Sequence, residues 1–306
     1  MKSLSLAASM LLTLLVNLSS NAQIFEADST VQVVGYWSKG DKQSYLLTKD
    51  KYTVSGTDTT DREIIKTEID VTVVDSTATS YTVEWLYKDI KSTNKDPMVQ
   101  KFYKLAQYVK FVITTNEMGT FGEVANVKDL QLYATNTAQI LKKELKATKG
   151  ADVMVNSLYA AFASKESIEQ NLIEEIYQFY FYHGGKYKLD VPVTMKLELP
   201  NASGGKPIDA ELVIKLTEIN AADDNYVIRS SQLVDKAQAT EATFQILRQN
   251  NQLEDGFTRA QMPEVIIEDT MAARVHVSGW PTYSIKTKTV NTGDTTDVEE
   301  WTIELQ

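Results

Sequence analysis

Two hairpin-like stretches far apart in the chain share order and spacing, and this restricts the fold more than any other feature. Glu68–Val73 and Tyr81–Val83 alternate apolar and polar residues, as half-buried strands do. Glu211–Leu216 and Tyr226–Ile228 repeat the pattern at offsets of 143 and 145 residues. Gly40 lies 145 residues before Gly185, and Phe102 lies 142 before Phe244. Internal duplication and the general likeness of antiparallel hairpins both explain the agreement. Duplication implies two related strand–strand–strand–helix–strand units.

Strand patterns fill both ends of the chain. In the first half they cover Val31–Tyr36, Tyr45–Val54, Ile64–Val74, Tyr81–Trp85 and the hairpin flanking Glu117–Thr120. Pro97 opens a short helix carrying Phe102 and Leu105. The middle reads as helical. Asn126 is placed to cap a helix bearing Leu130, Ala134, Ala138 and Leu141, with Gly150 as its stop. Ser167 and Gln170 resemble a capping box before Ile168, Leu172, Ile176 and Phe179. Strands return over Tyr187–Leu199, with Pro192 demanding an edge or a bulge, then Ile208–Ile219 and Tyr226–Leu233. A helix over Thr240–Asn250 and four more strands close the chain. The expected class is α+β: antiparallel β-hairpin sheets with a central helical insert. The divisions are a leader over 1–22, a β-rich module over 23–126, a helical segment over 127–185 and a second β-rich module over 186–306.

The leader has a charged start at Lys2, an apolar stretch over Leu4–Val16 and a small polar exit ending at Ala22. This is the pattern of a secretory signal peptide cleaved before Gln23. Its apolar core falls short of the roughly 20 residues of a bilayer span. No similar run follows, so the mature chain is expected to lack a transmembrane segment and to be periplasmic or extracellular. There are no cysteines, hence no disulfide scaffold and no lipid attachment at an N-terminal cysteine. The formal charge is −10, from 31 Lys and Arg against 41 Asp and Glu. Loss of Lys2 makes it one unit more negative. That balance disfavours nucleic acid, whose phosphates need clustered cations.

Chemical signatures are sparse. The two histidines, His183 and His276, are too few for a zinc site without further ligands. His183-Gly184-Gly185 resembles part of an esterase oxyanion turn, but the Gly-x-Ser-x-Gly nucleophile turn is missing. Gly184-Gly185-Lys186 and Gly204-Gly205-Lys206 lack the Ser or Thr of a phosphate loop. The similar loops Thr53–Asp61 and Thr289–Asp297 offer too few oxygens for a dedicated calcium site and suit turns. Asp28-Ser29-Thr30, Asp58-Thr59-Thr60, Asp75-Ser76-Thr77, Asp269-Thr270-Met271 and Asp294-Thr295-Thr296 resemble O-glycan acceptors of exported Bacteroidota proteins, and are turn-rich compositions besides. No catalytic residue, metal site or cofactor is assigned.

The densest segment is Tyr177–Tyr187, in which six of eleven residues are aromatic. It is either packed between layers or lines a pocket for an apolar or sugar ligand. On the second reading Tyr177, Tyr180, Tyr182 and Tyr187 are the ligand-binding candidates. Replacing Tyr180 or Tyr182 by Phe is then expected to spare stability and weaken binding. Tyr182–Tyr187, Leu199-Pro200-Asn201, Gly204–Ile208 and Leu216–Ile219 together resemble a family of uncharacterised exported proteins of Bacteroidota. That resemblance brings export and no activity. The sequence therefore favours a non-enzymatic envelope protein that binds a hydrophobic or carbohydrate small molecule or serves a structural role. A carboxylate-based envelope hydrolase and a surface adhesin or assembly component are the alternatives. Oligomeric state is left open.

Overall fold

Alternating sequences of this length pair with their chain neighbours first, and the result here is one long meander. The computed structural model describes residues 23–145 and 150–306; the expected leader, 1–22, lies outside the described residues. Strands β1 (Ile24–Phe25) and β2 (Thr30–Gln32) precede β3 (Lys42–Ser55), β4 (Asp58–Ser76) and β5 (Ser80–Ser92). Helix α1 (Pro97–Ala106) leads to β6 (Lys110–Asn116) and β7 (Phe121–Val124). Helices α2 (Val127–Glu144), α3 (Ala151–Ala161), α4 (Lys165–Asn171) and α5 (Glu174–Tyr180) follow. The second half holds β8 (Lys186–Lys188), β9 (Val193–Leu199), β10 (Ile208–Asn220) and β11 (Asn225–Val234). It ends with α6 (Lys236–Gln249), β12 (Val265–His276), β13 (Pro281–Thr292) and β14 (Thr295–Leu305).

Eleven of these strands form a single antiparallel sheet, ordered β7-β6-β5-β4-β3-β14-β13-β12-β11-β10-β9. The two β-rich stretches are thus joined edge to edge where β14 pairs β3. The sequence repeat is matched by a repeat in topology. Hairpin β4–β5 and hairpin β10–β11 are each followed by a helix and an adjacent antiparallel strand. Val73 pairs Val83, and Leu216 pairs Ile228, at the same 143 and 145 offsets. A bulge follows at the same place in both, between Val73 and Asp75 and between Leu216 and Glu218. Expected strand Tyr187–Leu199 is broken at residues 189–192: β8 leaves to form a small sheet with β1 and β2, and β9 starts after Pro192 at the edge.

Helices α2–α5 do not form a body of their own. Leu130, Leu141, Ile168, Ile173, Ile176 and Phe179 share one core with Tyr45, Leu47, Ile69, Val71 and Trp85 of the sheet. The other face of that half carries Lys42 and Lys88, both paired to Asp70 at 2.8 Å. The C-terminal half buries Leu212, Ile214, Ile228 and Ala273 under Val31, Val33, Tyr182 and Tyr187. Further along the same face, Ala239 of α6 packs on Ala210 and Val234.

Local signals placed some helix starts and misplaced others. Asp96 caps α1 by accepting from the amides of Met98 and Val99, with Pro97 next. Asn126 is the N-cap residue of α2 but makes no side-chain capping bond; its side chain instead bonds Val112 N and Lys110 O, tying the helix start to β6. Ser164, not Ser167, caps α4, accepting from Ser167 N at 3.1 Å. The helix expected through Phe179 breaks between α4 and α5, where Ile173 is fully buried.

Candidate ligand-binding cleft

Helix α5 has two faces of opposite use. Glu175, Ile176, Phe179 and Tyr180 point into the core. Glu174, Tyr177, Gln178 and Phe181, spaced three and four apart, lie on one helical face and line a cavity of about 440 Å³. The opposite wall is the sheet. Leu212, Gln232, Asp269 and Lys288 stand opposite one another in turn across β10–β13, as do Ser230, Met271 and Lys286 one row away.

The first of these rows runs on beyond the cavity. Lys288 faces Glu299, Glu299 faces Lys51, and Lys51 faces Glu63. Asp269 through Glu63 therefore alternate in charge across five strands. Lys51 binds Glu299 at 2.5 Å. In the next row Lys286 binds Glu174 at 2.5 Å and lies over the Trp301 ring at 5.3 Å. Lys49 binds Glu175 at 3.1 Å.

Two residues that line the cavity, Gln178 and Asp269, each carry a buried oxygen without a partner among the described residues. Gln178 donates through Nε2 to Ser284 Oγ at 3.0 Å and to the Trp301 carbonyl at 3.2 Å. The Trp301 contact fixes which end of the amide is nitrogen, and Gln178 Oε1 has no partner. Asp269 Oδ1 is likewise buried without one, and Oδ2 lies 3.5 Å from Gln232 Nε2. Burial pushes the Asp269 carboxyl above its ordinary pKa, against the pull of Lys286 and Lys288. Lys288 forms no ion pair among the described residues.

The four candidate tyrosines divide between cavity and core. Tyr177 sits at the rim, 40% exposed, edge-on to Phe121 at 4.8 Å. Tyr182 is buried, but its hydroxyl donates to Ser230 Oγ at 3.1 Å and lies 3.3 Å from the Met271 carbonyl, so it braces two residues of the cavity wall. Tyr187 packs behind Tyr182, its ring 6.3 Å away, and does not line the cavity. Tyr180 lies in the main core against Trp37, Trp85 and Phe179, and its hydroxyl accepts from Trp85 Nε1 at a long 3.4 Å. The sheet side of the cleft, above all Asp269 and Lys288, was not legible in sequence. On the helix side the sequence did carry signals: the aromatic density at 177–187 and the Glu174, Tyr177, Gln178, Phe181 spacing.

His183 belongs to the scaffold. It is buried, with Nε2 2.8 Å from the Gly279 carbonyl, and burial lowers its pKa to about 4. Loops 53–61 and 289–297 lie side by side, with Thr53 Oγ1 donating to Asp297 Oδ1 at 2.7 Å. Among the described residues no three metal-ligating side chains gather, and no helix is long and apolar enough to cross a membrane.

No protein-family model and no curated protein sequence matches the chain. It is similar to a solved chain of lipovitellin, from a structure concerning lipid–protein interactions in that protein. That likeness has a TM-score of 0.40 and 9% identity, and covers 88% of this chain but a quarter of the other.

Proposed function

We propose that this is an exported binding protein for a polyhydroxylated small molecule, a sugar, held in the cleft between α5 and β10–β13. One observation carries the reading: Asp269 and Gln178, each with a buried acceptor oxygen that has no partner among the described residues, line the same cavity. A buried acceptor left unpaired costs about 1–3 kcal/mol, and a ligand that donates recovers it. Lys286 and Lys288 beside them disfavour a cation. Hydroxyl groups supply donors without charge, and their lone pairs accept from Lys288. Tyr177 and Phe181, about two-fifths exposed, offer aromatic surface to the C–H face of a ring. Charged and amide groups in the wall favour this over the apolar ligand. The test is a glycan array carrying mono- to hexasaccharides, together with mass spectrometry of small molecules retained on native isolation. Retention of lipid alone, with no sugar bound, rejects the sugar reading.

A hydrolase is the second reading, and one arrangement favours it. Glu174 and Asp269 approach the cavity from opposite walls, one ion-paired with Lys286 and the other desolvated. Two carboxyl groups across one cavity, one desolvated and one ion-paired, are the kind of pair that glycoside hydrolysis uses. Release of reducing ends from a bound glycan, abolished by Glu174→Gln, distinguishes it from binding alone.

A further inference from the structure

Strand β9 closes one end of the main sheet with its outer backbone groups unpaired among the described residues. The opposite end is handled differently: β7 is four residues long, and α4 packs beside it, with Glu169 accepting from Val124 N. An open edge is a template for another strand. Side chains on β9 alternate, with Thr194, Lys196 and Glu198 on one face and Val193, Met195, Leu197 and Leu199 on the other. Val193 and Met195 are each 39% exposed. Lys196 and Glu198 are exposed and belong to no ion pair among the described residues; on β10 they stand opposite Glu211 and Asp209.

We propose that β9 pairs antiparallel with β9 of a second copy, centred on Leu197, making a two-fold dimer with one continuous sheet. Faces are preserved across such a pair, so only registers centred on a residue are allowed. Centring on Lys196 sets two like charges opposite each other, which is destabilising. Centring on Met195 leaves Lys196 opposite Thr194 and Glu198 opposite Pro192. Centring on Leu197 sets Lys196 opposite Glu198 twice over, by symmetry, and Met195 opposite Leu199 on the apolar face. Pro192 and Pro200 flank the strand and end the pairing. A two-fold uses each edge once, so the assembly closes rather than growing into a fibre.

The test is light scattering on the purified protein across a concentration series, with the variants Lys196→Glu and Glu198→Lys and the double swap. The wild type is expected to dimerise. Each single variant creates two like-charge pairs and is expected to raise the dissociation constant about tenfold, while the double swap restores it. Thermal melts establish that all variants stay folded. A wild type that remains monomeric at every concentration overturns the proposal. So do single variants that dimerise unchanged, or a double swap no better than the singles.

Discussion

Asp269 and Lys288 stand directly opposite each other on β12 and β13, yet they form no ion pair. A carboxylate left desolvated beside an available ammonium is a cost to the folded chain. The sign of its pH dependence follows from the raised pKa. Folded Asp269 holds its proton at higher pH than the unfolded group does, so stability falls as pH rises from the ordinary carboxylate pKa through the raised one. Asp269→Asn is therefore expected to stabilise the unliganded protein at pH 7 by about 1 kcal/mol. That is about 2–4 °C in melting temperature for a chain of this size. The gain should shrink below about pH 4, where wild-type Asp269 is protonated in both states. Melting curves at the two pH values measure it.

Tyr182→Phe is expected to cost about 1 kcal/mol, because the hydroxyl it removes binds Ser230 and lies against the Met271 carbonyl inside the fold. The sequence alone suggested unchanged stability at this position. Denaturant unfolding of the variant decides between them.

Glu175 is buried and accepts from Tyr87 Oη at 2.7 Å and from Lys49 at 3.1 Å. Lys49→Met strands a buried carboxylate and is expected to cost about 3 kcal/mol. Glu175→Gln keeps an acceptor for Tyr87 and should cost less, about 1 kcal/mol. Equal losses in denaturant titrations would show that the carboxylate is not effectively buried.

Gly279 has φ +85°, and a Cβ there would collide with the Val34 carbonyl oxygen and come within 2.8 Å of Gly35 Cα. Its backbone also holds His183. Gly279→Ala is expected to destabilise by 2 kcal/mol or more, read from the unfolding midpoint. By contrast Gly204, φ +82° with nothing within 4 Å, should lose only about 1 kcal/mol on the same change.

Protein recovered from its native cell is expected to begin at Gln23. Edman sequencing that starts at Met1 contradicts export by this leader.

Much of the sheet was legible in sequence because period-two alternation is a local property. The β4–β5 and β10–β11 hairpins, their offsets and the helix after each could be read directly. Register across β14–β3 could not, since residues about 250 apart meet there and no local signal specifies the pairing. The same limit hid the cleft. Asp269 and Lys288 each look like a surface charge on a strand, and only their rows on one sheet face bring them together. The aromatic density at 177–187 mixes two roles: Tyr177 and Phe181 reach the cavity with Glu174 and Gln178, while Tyr180 and Tyr187 fill cores.

The most direct measurement is calorimetric titration of the sugar that binds best on the array into wild type and Asp269→Asn. Asparagine keeps the size of the side chain and removes the charged acceptor. At least tenfold weaker binding by the variant, alongside equal or higher thermal stability, is the expected result. Unchanged affinity, with the sugar still bound, would place the ligand elsewhere and contradict a cleft built on Asp269.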